Sequence, residues 1–137
     1  DRSRGLGDVY KRQGLSDAIA KFAASLFNRK GKRTMYSGDF SSRFRGMYDQ
    51  NDCALFFTVS GETREIIDRI KDLKKYDIKI IVITNSASST AAKMSDLALT
   101  YYMPSTKNGD FYSSATQVPV LYIIESIANL FIEYGIY

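Results

Sequence analysis

The sequence predicts an α/β fold with a parallel sheet that has helices on both faces. Two apolar, β-rich runs, residues 53–59 and 78–84, are typical of buried parallel strands. Helical periodicity follows the first run at residues 64–76 and appears again at residues 117–134. Because strands that alternate with helices indicate βαβ units, these patterns favour a parallel sheet, with a further strand at 97–101.

Length and composition fit one globular domain. The chain has 137 residues, of which 45% are hydrophobic and 25% are charged, which argues against disorder and against a membrane protein. It has no histidine and one cysteine, Cys53, so we expect no zinc site, no metal, no cofactor and no disulfide within the chain. A single buried thiol favours a reducing, cytoplasmic location.

Residues 1–13 are interpreted as a non-native segment. The run from Ser3 to Gln13 matches the in-frame translation of a common transposon-based sequencing adapter. Four basic and two acidic residues lie in this segment, so it supplies +2 of the formal net charge of +4. The remainder is nearly neutral and gives no support for nucleic-acid binding. We therefore expect the native domain to comprise residues 14–137.

Further elements are predicted around the strands. Ser16 is expected to cap a helix that ends at Gly31, and its apolar stripe comprises Ile19, Phe22, Ala23, Leu26 and Phe27. A short strand is predicted at 33–36, and short helices at 40–48 and 90–94. The helix at 117–134 is apolar on nearly every side. A second subunit is the favoured cover for its outer face, and the alternative is an unusually well-buried core helix.

The junction at residues 58–63 indicates an anion site. Ser60-Gly61-Glu62-Thr63 turns the chain from a strand into a helix, whose free N–H groups and dipole favour a phosphate beside the hydroxyls of Thr58, Ser60 and Thr63. The alternative is a simple helix cap formed by Ser60. Loops after parallel strands share one sheet edge, which would bring residues 84–88 and 14–16 here. Three such loops favour a phosphorylated ligand.

These residues resemble the SIS (sugar isomerase) domain. The likeness lies in segments 14–16, 58–63, 81–86 and 95–99 and extends over residues 14–137. It is strongest to the C-terminal effector domain of RpiR-type bacterial transcriptional regulators. It implies a three-layer αβα, flavodoxin-like fold and a phosphosugar held by an S-x-S-G-x-T segment, whose first serine is Thr58 here. With the neighbouring loops, the expected ligand-binding residues are Ser16, Thr58, Ser60, Gly61, Glu62, Thr63, Thr84, Asn85 and Ser86.

Compared with that family, the sequence lacks the first strand and an upstream helix-turn-helix domain, so we expect a fragment. The preferred function is a phosphosugar-sensing effector domain, homodimeric or homotetrameric, that reaches DNA only through the absent domain and binds no membrane. The alternative is an aldose–ketose isomerase with Glu125 or Glu62 as base, because histidine is absent. A lyase acting on an N-acetylmuramic acid phosphate is a third hypothesis. The loop at 105–114 is expected to select the sugar.

Overall fold

The computed structural model describes residues 2–36, 51–103 and 116–133. The chain divides into two compact units, residues 1–36 with 105–137 and residues 37–104. The predicted helix at 40–48 and the loop at 105–114 lie outside the described residues. Among those that are described, no helix is both long and apolar enough to cross a bilayer. In chain order, the elements are α1 (Arg2–Arg29), β1 (Cys53–Phe57), α2 (Arg64–Lys74), β2 (Lys79–Thr84), α3 (Thr90–Met94), β3 (Leu97–Thr100) and α4 (Val118–Glu133).

The unit of residues 37–104 contains a three-stranded parallel sheet in the order β1-β2-β3. Leu55 of β1 lies opposite Ile81 of β2, and Ile81 also pairs with Leu97 of β3. The β-branched run of β2 occupies the centre, where Val82 and Ile83 are buried. The predicted α/β fold with a parallel sheet is therefore confirmed.

Helices α2 and α3 cover one face of this sheet. Side chains alternate between the two faces of a strand, so Ile80 and Val82 of β2 share the face that the helices meet. Ile70 and Leu73 of α2 and Ala91 of α3 pack with these two strand residues in one core cluster. The helical spacing of Ile70 and Leu73 explains why the amphipathic α2 was predictable from sequence.

A carboxylate fixes the start of β2. The Ile80 N–H donates to Oδ2 of Asp96 over 2.7 Å, and the Asp96 N–H donates to the Ile80 carbonyl over 2.9 Å. Asp96 immediately precedes β3, so this pair of hydrogen bonds fixes the entry of β3 beside β2.

In the other unit, α1 packs against α4. The rings of Phe27 and Phe131 meet edge to face, with centroids 5.2 Å apart. The buried residues of the two helices are Ile19, Ala23, Ala24 and Phe27 on α1 and Val120, Ile124 and Ala128 on α4. Val118, Tyr122 and Leu130 are exposed. The predicted apolar helix is thus present. The described residues leave these three side chains on it uncovered.

Helix α1 ends where the sequence predicts. Gly31 has a φ of 92°, a conformation that favours glycine at a helix end, and the Lys32 N–H returns to the Phe27 carbonyl over 2.9 Å. The chain then folds back along the helix. The Asn28 side chain bonds both the N–H and the carbonyl of Thr34, and the Tyr36 hydroxyl donates to Asp17.

Several local predictions are wrong. Residues 32–36 are irregular, and the backbone of Thr34 bonds the Asn28 side chain of α1 in place of a neighbouring strand. Ser16 lies inside α1 and does not cap it, since the helix begins at Arg2. Phe22 is exposed on α1, outside the buried stripe. Cys53 is also exposed, because it opens β1 at the end of the strand, where its register partner Lys79 is exposed as well.

Candidate functional site

Two loops meet at the carboxyl edge of the sheet. The first joins β1 to α2 (residues 58–63) and the second joins β2 to α3 (residues 85–89). The Val59 carbonyl accepts hydrogen bonds from the Asn85 N–H and the Thr84 hydroxyl, both 3.1 Å long, and the Gly61 carbonyl accepts one from the Ala91 N–H. The expectation that these two loops share one edge is confirmed.

Gly61 is the point of closest approach between the loops. Its φ is +71°, in the left-handed region that L side chains rarely adopt. A Cβ placed there would overlap Oγ and Cβ of Ser89 and would lie 3.1 Å from Oγ1 of Thr84. Because Ser89 is only 3% exposed, it has little room to move. Glycine is therefore required at position 61 for two reasons, the left-handed backbone conformation and the close approach to Ser89.

A hydroxyl pair lies beneath the turn. Thr58 is 2% exposed, and its Oγ1 accepts a hydrogen bond from the Gly61 N–H over 3.1 Å. Oγ1 of Thr58 and Oγ1 of Thr63 are 2.8 Å apart. The first and last hydroxyls of the motif thus contact each other, and the buried one also supports the turn at Gly61.

The amino end of α2 is left open. Thr63 occupies the N-cap position, yet its side chain makes no capping hydrogen bond. Ser60 is not the cap either, since its Oγ accepts from the Glu62 N–H over 3.1 Å within the loop. Within the described part of the chain, the N–H groups of Arg64, Glu65 and Ile66 donate to no protein atom. Together with the helix dipole, these groups can bind an anion.

Glu62 links the two loops, and both of its carboxylate oxygens already accept hydrogen bonds from the second loop. Its Oε1 accepts from the Thr90 N–H over 2.8 Å, and its Oε2 accepts from the Thr90 hydroxyl over 2.7 Å. These two bonds, with a smaller contribution from the charge of Lys93, hold the pKa of Glu62 below its usual value against some desolvation. The carboxylate thus caps the first residue of α3.

The residues after β2 are mostly engaged with backbone. Thr84 is fully buried, and its Oγ1 both donates to Val59 and accepts from the Ser86 N–H. The Asn85 amide bonds the carbonyl and the N–H of Met103, at 3.1 and 2.6 Å. The Ser86 hydroxyl has only Ser88, 3.5 Å away, among the described residues. Of these three predicted ligand-binding residues, Ser86 is the one whose side chain could form further hydrogen bonds.

Two other predicted residues lie in the other unit. Ser16 is half-buried within α1, and Glu125 is exposed on α4. Their participation in the site stays a prediction. Sequence reasoning missed Thr90 and Ser89, which hold the second loop against the first. Ser89 carried a local signal, since a serine directly before a short helix is a favoured N-cap and its Oγ accepts from the Ala92 N–H.

The motif and its setting agree with a known family. The sequence profile of the SIS domain matches residues 13–123. The chain belongs to the SIS domain family. The match includes both loops of the carboxyl edge and the whole of α2.

Proteins similar to this SIS domain include enzymes, and structures with a similar fold include a domain of a transcription factor. Over 58 residues the chain is 40% identical to arabinose 5-phosphate isomerase KpsF of Escherichia coli. The aligned segment is 42% of this chain and 18% of that protein. The structure of the c3406 protein of E. coli CFT073, in complex with arabinose 5-phosphate, matches at a TM-score of 0.73 and 26% identity, over 88% of this chain and 65% of that one.

The sugar isomerase domain of an RpiR transcription factor from Sphaerobacter thermophilus matches at a TM-score of 0.70, over 85% of this chain and 65% of that one. At 16% identity it shows the fold alone. The chain spans only 18% to 28% of the length of the first curated relatives it matches.

Proposed function

We propose that this chain binds the phosphate group of a phosphosugar at the amino end of α2. The observation that carries the proposal is the open first turn of that helix, where the N–H groups of Arg64, Glu65 and Ile66 have no partner among the described residues. The hydroxyls of Ser60 and Thr63 stand beside it, and neither caps the helix. A helix amino end with adjacent hydroxyl donors suits a phosphate dianion.

Membership of the SIS family supports the proposal. The c3406 structure, which shares this fold, holds arabinose 5-phosphate, and KpsF is named as an isomerase of the same sugar phosphate. We place the phosphosugar-binding domain at residues 14–137, and the family match over residues 13–123 supports most of that range. That the loop at 105–114 selects the sugar stays a prediction.

We propose that the domain is a sensor, which binds the phosphosugar without converting it. Isomerisation needs a positioned general base. Both oxygens of Glu62 accept from Thr90, which lowers the basicity of the carboxylate, and the chain has no histidine. An effector domain whose DNA contacts are made by a separate helix-turn-helix domain is what the resemblance of segments 14–16, 58–63, 81–86 and 95–99 to RpiR-type regulators implies. The proposed assembly is a homodimer or homotetramer in the cytoplasm.

An isomerase is the second candidate, and a specific observation favours it. The chain is 40% identical to KpsF over 58 residues, and KpsF is named as an enzyme. On this alternative Glu125, exposed on α4, would be the base, supplied to the site of a neighbouring subunit.

Calorimetry with a panel of pentose and hexose phosphates tests binding. Ser60→Ala and Thr63→Val should each weaken the binding of arabinose 5-phosphate by about ten- to hundredfold, the effect of losing a charge-assisted hydrogen bond. Ser126→Ala on α4 is the matched control and should bind as the parent does, because among the described residues that hydroxyl bonds only the Tyr122 carbonyl. Unchanged affinity in both site variants would refute the phosphate site.

Turnover separates the two roles. Incubating the chain with each phosphosugar and following the sugar by NMR should show binding without conversion if it is a sensor. Conversion of an aldose phosphate to a ketose phosphate that Glu125→Gln abolishes would establish the isomerase instead. A helix-turn-helix pattern in the genomic sequence upstream of residue 14 would support the regulator independently.

A further inference from the structure

Residues 32–36 have the side-chain pattern of a β-strand but no strand beside them. Their side chains alternate between half-buried and exposed, and the exposed ones are those of Arg33 and Met35. An alternation with a period of two is typical of an extended chain. Within the described part of the chain, however, the sheet comprises β1, β2 and β3 alone, and the segment pairs with none of them.

Helix α1 takes the place of a neighbouring strand on one edge of this segment. The side-chain nitrogen of Asn28 donates to the Thr34 carbonyl over 2.7 Å, and the Thr34 N–H donates to Oδ1 of Asn28 over 3.0 Å. Two such bonds are what a residue of an antiparallel ladder exchanges with its hydrogen-bonded partner. Asn28 is itself fixed, because its side-chain nitrogen also donates to the Ala24 carbonyl over 2.7 Å.

The end of the segment is fixed to α1 as well. The Tyr36 hydroxyl donates to Asp17, and Nζ of Lys21 lies 3.4 Å from the same carboxylate. The same Nζ is 5.4 Å from the centre of the Tyr36 ring. With the bonds of Asn28, these contacts hold the segment along the helix. It is therefore ordered before any further chain pairs with it, which lowers the cost of such a pairing.

The opposite edge of the segment is unpaired. In an extended chain the N–H and C=O groups of neighbouring residues point to opposite sides, so those of Arg33 and Met35 lie on the edge away from Asn28. Neither residue forms a backbone hydrogen bond with a described residue. An unpaired edge of this kind is a template for pairing with another extended chain.

A second copy of the segment fits this edge. With a two-fold axis at Thr34, Arg33 of each copy lies opposite Met35 of the other, and each pair exchanges both N–H···O bonds. The same register places Lys32 beside Tyr36 of the other copy. The register that places Arg33 opposite itself would bring two positive charges together, which is destabilising. The segment is thus complementary to itself when Thr34 is at the centre.

We propose that two copies of this chain associate by antiparallel pairing of their 32–36 segments, with Thr34 opposite Thr34. The pairing gives the homodimer of the proposed function a defined contact, but it requires no ligand. Pairing over so short a segment buries less than the roughly 1,200–2,000 Å² of a standard interface. We therefore expect a reversible dimer whose fraction rises with protein concentration.

Two substitutions of Met35 test the pairing. Met35→Pro removes the N–H that the pairing uses, whereas Met35→Ala, the matched control, retains it. In analytical ultracentrifugation over a concentration series, the dimer should dissociate about tenfold or more readily in Met35→Pro than in the parent and in Met35→Ala. Circular dichroism checks the fold of each variant. A monomeric parent, or a folded Met35→Pro variant that associates as the parent does, would overturn the proposal.

A disulfide between copies tests the register. In a Cys53→Ser background, Thr34→Cys should cross-link on mild oxidation, because the Cα atoms of a non-hydrogen-bonded pair are about 4.5 Å apart, within the range for a disulfide. Arg33→Cys in the same background should cross-link about tenfold more slowly, since it lies opposite Met35 of the other copy.

The comparison is stringent because Arg33 is the more exposed of the two positions, so random collision would favour its cross-link. Equal rates, or a faster reaction of Arg33→Cys, would overturn the register. Neither measurement uses a phosphosugar. A failure of phosphosugar binding therefore refutes the proposed function alone, and a failure of these two tests refutes the pairing alone.

Discussion

Replacing Gly61 by alanine should be among the most damaging small changes to the unit of residues 37–104. A non-glycine residue at a φ of +71° costs about 1–2 kcal/mol in backbone strain. The new Cβ would overlap the Ser89 side chain, and forcing a methyl group into such a packed position costs about 1–3 kcal/mol more. The expected loss of about 2–5 kcal/mol is large compared with a typical domain stability of about 5–15 kcal/mol.

A second substitution isolates the steric part of this loss. Ser89→Gly removes both atoms that the new Cβ would overlap, and by itself it should cost only a few tenths of a kcal/mol, because glycine is tolerated at an N-cap. In that background Gly61→Ala should cost only the backbone term, about 1–2 kcal/mol. Urea unfolding of the four proteins measures the cycle. Equal costs of Gly61→Ala in the two backgrounds would refute the proposed contact between the loops.

Two further predictions concern carboxylates. Glu62 has a lowered pKa in the folded chain, so its bonds to Thr90 contribute stability above the unfolded pKa of about 4.3 and lose it as the pH falls through the folded value. The stability difference between the parent and Glu62→Gln, measured by urea unfolding from pH 7 downward, should therefore shrink below that pH, and a constant difference would contradict the link. Asp96→Ala should destabilise the chain by about 1–3 kcal/mol, because it leaves the N–H of the fully buried Ile80 without its partner. Thermal unfolding against the control Asp68→Ala, at an exposed position of α2, measures this cost.

Much of the sheet and its helices was predictable from local patterns. The β-branched run of β2 and the apolar periodicity of α2 each indicate from the local sequence which side chains are buried. The alternation of strands and helices then indicates a parallel sheet. The shared edge of the two loops follows from the same topology, as the bonds from Asn85 and Thr84 to Val59 show. The meeting of these loops was therefore predicted correctly before its contacts were known.

The contacts inside the site were not predictable in the same way. Glu62 and Thr90 are 28 residues apart, and no local pattern pairs them. Sequence reasoning also could not distinguish the buried Thr58 from the less buried Thr63, because a hydroxyl in a motif carries no sign of its burial. Helix α1 shows the converse error, since a serine that suits an N-cap can also lie within a helix when the residues before it continue the turn.

The most direct test of the proposed phosphate site is a titration of the ¹⁵N-labelled chain with arabinose 5-phosphate, followed by amide chemical shifts. The open first turn of α2 predicts that the N–H signals of Arg64, Glu65 and Ile66 move most, together with those of Ser60 and Thr63. Inorganic phosphate should move the same first-turn signals, because the helix end binds the phosphate group. Shifts confined to other parts of the chain, with these five signals unmoved at saturation, would contradict the central claim.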